Sequence, residues 1–280
     1  MPWAIERIAA FSIDGRGGNP AGVVIADRLP DPAQMQAIAR SVGYSETVFA
    51  ARLPDSKWRT RYFSPEAEVA FCGHATIALG AMLGRRFGTG RYDLTLNGGD
   101  ISVEAGNGGT ATLTSPPSRS APLAAEAREA IFAHFALSEA ELDPRLPPRL
   151  GNAGNNHPIL LLRDRARLAA MDYPFDAVKA LMEREGWTTI CLAVAERPDL
   201  FHVRNAFAIG GVREDPATGA AAAALAGTLV DCGWPGLAGG GRFIIRQGED
   251  MGAPSILSVA VTGRPGDPVR VTGATAAIAD

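Results

Sequence analysis

The chain has 280 residues, enough for one large or two medium domains, with 46% hydrophobic and 20% charged residues. That balance excludes intrinsic disorder, and a net charge of -3 gives no electrostatic reason to expect nucleic acid or an anionic membrane as partner. No apolar run approaches the ~20 residues a bilayer-spanning helix needs, and Cys72, Cys191 and Cys232 lie far apart without a CxxC pair, which excludes a disulfide framework and argues against a zinc site.

At the N-terminus, Glu6 and Arg7 stand where a signal peptide needs its apolar core, so a cytoplasmic location is expected. Alternation from Ile5 to Phe11 predicts a strand, followed by the turn DGRGGNP and a buried strand AGVVIA over 21–26. Pro30 and Asp31 open an amphipathic helix with Met35, Ile38, Ala39 and Val42 on one face, closed by Gly43. SETVFAARL and KWRTRYFS read as strands. FCGHATIALG (71–80) then sets a polar Cys-Gly-His at the mouth of a small apolar helix. A meander of three short strands follows with Gly and Asn turns, broken by Pro116 and Pro117.

The second half repeats the style. After a helical patch AAEAREAIFAHFA come a strand HPILLLR, an amphipathic helix DYPFDAVKALMEREG and strands TTICLAVAE and LFHVRNAFA. A turn and an Ala-rich helix, GGVREDPATGAAAAALAGTLVDCG, lead to three final strands. EVAFCGHATIALGAML and VREDPATGAAAAALAGTL thus hold equivalent places in two halves of one architecture. Small side chains let strands wrap closely around such a helix, and a seam between two halves is a preferred place for a small ligand.

Both turns place small residues at a helix start, where backbone N–H groups and partial positive charge collect. Each turn either caps itself or, together with the other, traps an anion; a carboxylate suits this better than a phosphate, since no P-loop lysine or GxGxxG is present. In EDPATGA, Asp215 falls at the N-cap or just before it, with Pro216 in the first helical turn. Glu46, in SETVF, is either a surface residue or a general base worth roughly 10²–10⁴ in rate; His74 and Asp215 are candidates for the second acid–base group or for orienting substrate. Cys72 raises the possibility of a two-thiol racemase. The second turn has no cysteine to match it, which disfavours that chemistry and leaves Cys72 as a small buried residue. In GNAGNNHP, Asn155 and His157 are read as a polar turn before a site role; His134 and His202 are read as structural.

GNPAGVV (18–24), SETVF (45–49), YFSPEAEVAFCGHATIALG (62–80) and EDPATGAAAAAL (214–225), in this order and spacing, resemble the PhzF-like isomerases of phenazine-biosynthesis type, related in fold to diaminopimelate epimerase. The resemblance covers nearly the whole chain. It implies an α+β fold of two similar domains, each a curved, mostly antiparallel sheet wrapped around a central helix, with the active site in the inter-domain cleft. The implied domains are 1–117 plus about 267–280, the last strand crossing back, and 118–266. It further implies a homodimer acting on a small-molecule carboxylate with no cofactor and no metal.

By the same resemblance Glu46 matches the proton-shuttling glutamate, His74 a site histidine and Asp215 the aspartate of the second helix. Gly73 and Gly219 match amide donors to the substrate carboxylate, and Asn19 resembles a polar residue lining the site. Where the phenazine enzyme has a serine after the second glycine, this chain has Ala220, which removes a hydroxyl beside the substrate. The leading expectation is an isomerase that moves a proton within a cyclic, unsaturated carboxylic acid. Two alternatives are an epimerase of amino or hydroxy acids using Glu46 and Asp215, and a carboxylate-binding protein without turnover.

Overall fold

The computed structural model describes residues 3–279 and divides into two compact units, one of residues 1–114 with 271–280 and one of residues 115–270. In chain order the elements through the first unit are β1 (Glu6–Ala10), β2 (Asn19–Ala26), α1 (Pro32–Val42), β3 (Glu46–Arg52), β4 (Trp58–Phe63), β5 (Glu68–Val69), α2 (Gly73–Phe87), β6 (Gly90–Thr95), β7 (Asp100–Ala105) and β8 (Thr110–Pro117). The second begins with β9 (Arg119–Pro122), α3 (Ala125–Phe135), β10 (Arg149–Asn152), β11 (Asn156–Leu162), α4 (Arg165–Ala169) and α5 (Phe175–Glu185). It continues with β12 (Ile190–Arg197), β13 (Leu200–Ala206), β14 (Glu214–Asp215), α6 (Gly219–Asp231), β15 (Gly241–Gln247) and β16 (Ser255–Val261). The last strand, β17 (Pro268–Ala277), rejoins the first unit from Val271 onward.

In the first unit the strands close into a ring, β1-β2-β3-β4-β6-β7-β8-β17 and back to β1. Antiparallel neighbours dominate. The two parallel joints, β2 with β3 and β4 with β6, fall where a helix intervenes, because a parallel return needs a crossover. One crossover, α1, lies outside the ring; the other, α2, packs against β1, β2, β3, β6 and β7 and so fills it. Gly73 to Leu83 of α2 are all buried. On the outside, Met35 and Ala39 of α1 pack with Val24, Phe49 and Phe63, Phe49 and Phe63 edge to face at 5.7 Å. Asp31 caps α1 reciprocally with Gln34, and Gly43 ends it at φ 73.

The second unit repeats the order. Its strands run β9-β10-β11-β12-β13-β15-β16, with parallel joints at β11–β12 and β13–β15 where helices cross. Helix α6 packs against β9, β10, β11 and β16, thus against both ends of that series; the sheet curls around it. Helices α3, α4 and α5 bury Ile131, Leu168, Val178 and Met182 with Leu160 and Leu192 in a second core. Each such side chain contributes roughly 1.5–3 kcal/mol by leaving water.

Two expectations need correction. The strand β8 takes in Pro116 and breaks only after Pro117, its last residue; a proline is tolerated in a strand where no ladder donor is required. The N-cap of α6 is Thr218, so Asp215 lies three residues upstream in β14 and Pro216 is outside the helix. Backbone pairing of Glu214 and Asp215 with Ala206 and Asn205 holds this stretch extended, which delays the first helical turn. Among the described residues no helix is long and apolar enough to cross a membrane.

Candidate active site

In the first unit the polar residues singled out by sequence meet at the start of α2. Strands β2 and β3 are parallel with Ala21 opposite Glu46, so Asn19 and Ser45 emerge from neighbouring strand starts. The turn before Asn19 requires glycine: Gly18 has φ +84, and a Cβ there would lie 2.7 Å from the Ala10 carbonyl oxygen. His74, second residue of α2, is buried at 4% exposure. Its Nδ1 is 3.1 Å from Asn19 Nδ2 and 3.3 Å from Cys72 Sγ. Its Nε2 is 3.4 Å from both Ser45 Oγ and Glu46 Oε2. With the Asn19 amide donating to Nδ1, the ring proton sits on Nε2 and faces Ser45 and Glu46.

Glu46 is itself only 7% exposed, and its Oε2 is buried with no hydrogen-bond partner among the described residues. The 3.4 Å to His74 exceeds the ordinary range of about 2.7–3.2 Å for N–H···O. A desolvated carboxylate oxygen without a donor costs free energy, and such a group is what a waiting acid–base residue looks like. Cys72 is the N-cap of α2, extended at φ -139 and ψ 119, and gives no side-chain cap; His74 does not cap the helix either. Thr76 Oγ1 donates to the Cys72 carbonyl at 2.7 Å and meets Tyr62 OH at 2.6 Å, which fixes the turn from beneath.

The second unit presents a related arrangement at the start of α6. Thr218 holds the N-cap position that Cys72 holds in the first unit, and Gly219 and Ala220 take the places of Gly73 and His74. Thr218 Oγ1 donates to Asp215 Oδ2 at 2.6 Å instead of capping the helix. Gln247 of β15 clamps both: its Nε2 donates to the Asp215 carbonyl at 2.7 Å and to Thr218 Oγ1 at 3.1 Å, and its Oε1 accepts the Thr218 N–H at 3.2 Å. Asp215, Thr218, Gly219, Ala220 and Gln247 are all buried. With no side-chain cap on either helix, the first-turn amides of α2 and α6 suit an anion.

Glu46, His74, Asn19 and Gly73 therefore gather in one unit, and Asp215, Gly219 and Ala220 in the other. Sequence reasoning missed Gln247 and Ser45. For Gln247 a signal existed: Phe243, Ile245 and Gln247 share the buried face of β15, so a polar residue stands where period-two alternation calls for an apolar one. His157 is fully buried, its Nδ1 2.9 Å from Thr189 Oγ1, while Asn155 stays in the preceding bend. His202 sits between Glu196 at 2.7 Å and Glu249 at 3.1 Å, on the strand that carries Asn205.

Known proteins place this chain clearly. A family model described as phenazine biosynthesis-like protein matches residues 8–280. "Uncharacterized isomerase YddE" of Escherichia coli O157:H7 is 31% identical over 98% of this chain and 95% of its own length. An "Uncharacterized isomerase" of Deinococcus radiodurans is 31% identical over 92% and 86%. Among solved structures, a PhzF-family phenazine biosynthesis protein of Bacillus anthracis superposes with a TM-score of 0.85 at 22% identity, covering 98% of this chain and 96% of that one. A probable proline racemase of Agrobacterium radiobacter K84 shares the fold at 0.67 and 14% identity, over 98% and 90%. Both the matched sequence model and the shared two-unit α/β architecture lead to one conclusion: the chain belongs to the PhzC–PhzF phenazine biosynthesis-like family.

Proposed function

We propose that the protein is a cofactor-independent isomerase of the PhzF family that moves a proton within a small carboxylic acid. The single observation that carries the reading is Glu46: a carboxylate buried at the start of α2, with one oxygen lacking a hydrogen bond and His74 Nε2 3.4 Å away. The names of relatives as isomerases support it.

In this mechanism the first-turn amides of α2 hold the substrate carboxylate, and Gly73 leaves room for it to approach. Glu46 removes a proton from a carbon conjugated with that carboxylate. The C–H electron pair moves into the conjugated system, the double bond shifts, and Glu46, once its proton has exchanged with solvent, delivers a proton to a different carbon. No electrons enter or leave overall. His74, oriented by Asn19, hydrogen-bonds the charge that develops. A cyclic unsaturated acid is the substrate class.

The test is solvent exchange. A substrate acid found by thermal-shift screening should take up deuterium in heavy water with the wild-type protein. Glu46→Gln should abolish uptake while leaving affinity within several-fold; uptake that persists in the variant removes Glu46 from the mechanism. One observation favours a second reading, two-base epimerisation: Asp215 is a buried carboxylate fixed at the motif equivalent to the one beside Glu46. Product analysis separates them, since an epimerase inverts one centre and leaves every double bond in place.

A further inference from the structure

We propose that the second unit binds a flat aromatic carboxylate in a cleft where the ends of α3 and α4 meet the start of α5. The inference rests on that unit alone and is independent of the reading of Glu46. The cleft has a volume of about 930 Å³, within the roughly 300–1,000 Å³ over which proteins hold small ligands. Phe135 at the end of α3 and Tyr173 and Phe175 at the start of α5 give it an aromatic lining. The Phe135 and Tyr173 rings lie 5.0 Å apart at 34°, and the Arg213 guanidinium stands 4.9 Å from the Tyr173 centroid. Cation, ring and ring thus form one continuous stack, which suits a ligand with a flat body.

The charges in the lining decide what that body carries. Arg167 Nε donates to Glu141 Oε1 at 2.6 Å, and its Nη2 donates to the Phe135 and Ala136 carbonyls at 2.6 and 2.9 Å. Those carbonyls close α3, where a cation is favoured. Arg167 Nη1 is left without a hydrogen bond among the described residues. Arg213 Nη2 donates to the Tyr173 carbonyl at 2.8 Å and to the Asp172 carboxylate, which leaves its Nε and Nη1 in the same condition. Both guanidiniums are therefore held in place before a ligand arrives, so little side-chain freedom is lost on binding. Their spare donors match the two oxygens of a carboxylate. Asp172, also in the lining, opposes a dianion such as phosphate. Its side chain is 83% exposed, and so exposed a pair contributes little. A ligand carboxylate can take its place on Arg213.

The test uses the full chain with its alanine methyl groups carbon-13 labelled, titrated with 2-naphthoate and followed by nuclear magnetic resonance. Ala136 and Ala170 line the cleft, so ring currents from a bound naphthyl group should move both methyl signals along one saturation curve. 2-Naphthamide, of the same shape without the charge, should leave them in place. Arg213→Gln should weaken 2-naphthoate about 10-fold or more, the loss expected when a charged hydrogen-bond donor is removed. Asp172→Asn, which removes the competing carboxylate, should tighten it by about 2- to 5-fold. That gain is one a misfolded variant cannot imitate. Signals of Ala136 and Ala170 that stay still throughout the titration overturn the site. So do equal shifts with 2-naphthamide, or an affinity that neither substitution changes. Shifts confined to alanines outside the cleft, such as Ala221 and Ala223 of α6, would put the acid elsewhere and overturn it as well.

Discussion

His157 occupies in the second unit the place Asn19 occupies in the first, each directly before the proline of its strand. The two have opposite fates. Asn19 reaches His74, whereas His157 is fully enclosed, and burial pushes its pKa down from 6.5 to about 3, with the contact to Thr189 opposing weakly. Between those two values the unfolded chain binds a proton that the native state refuses. The contribution is complete above about 6.5 and drains away as pH falls toward about 3, with a slope of up to about 1.4 kcal/mol per pH unit. His157→Asn should therefore flatten the acid side of a plot of unfolding free energy against pH, measured by urea denaturation; an unchanged slope would show that other groups set it. At this scale Glu46 stood out by its apolar and hydroxyl neighbours, His74 by heading an apolar helix and Asp215 by preceding the proline of a helix start, while Asn19 was reached only through the family resemblance. Ser45 and Gln247 did not stand out, because a hydroxyl beside Glu46 and an amide at the end of a strand gain meaning only from partners 29 residues away in each case.

At the scale of elements, the two small-residue helices explain why the sheets can close so tightly. A Cβ on Gly80 would lie 2.3 Å from Val103 Cγ2 and 3.1 Å from Ala111 Cβ; on Gly227 it would lie 2.4 Å from Ser118 Cβ. In an exposed helix, Gly to Ala gains roughly 0.5–1 kcal/mol. Here crowding outweighs that gain, and Gly80→Ala and Gly227→Ala should each destabilise by about 1–3 kcal/mol, seen as a lower denaturation midpoint. A rise in either midpoint would mean that the sheet yields. The long periodic elements were legible, α1 and α5 from their apolar stripes, β3 and β11 from continuous apolar runs. The two-residue strands β5 and β14 were not, since so short a pairing is dictated by its neighbour and leaves no period to read. The misplaced start of α6 has the same origin: Asp-Pro carries the local signature of a cap, and pairing with β13 overrode it.

Considered whole, the molecule divides its two units unevenly along the chain. The second is contiguous, whereas the first needs β17 between β1 and β8 to complete its ring. Thr112 and Thr272, 160 residues apart, share a hydrogen bond of 2.8 Å, and Thr275 Oγ1 donates to the Gly109 carbonyl at 2.7 Å. Val269 and Val271 are buried, and a Cβ on Gly273 would lie 2.2 Å from the Phe11 ring, so the strand is packed as well as paired. A chain ending at residue 267 should expose two unpaired edges and self-associate, visible as loss of the monomeric or native oligomeric peak in size-exclusion chromatography. The similarity of the two halves was legible in the repeated order of strands and helices; the closure of the ring was not, because nothing in the composition of VRVTGATAAIA names its partners.

That closure sets a timetable. As the polypeptide leaves the ribosome, the half that emerges first must wait, its barrel open and its Cys-Gly-His helix half clothed, while the half translated later has every strand it requires. The order of synthesis and the order of maturation are thus reversed, and a chaperone that shields the nascent amino-terminal portion would be guarding the part that finishes last.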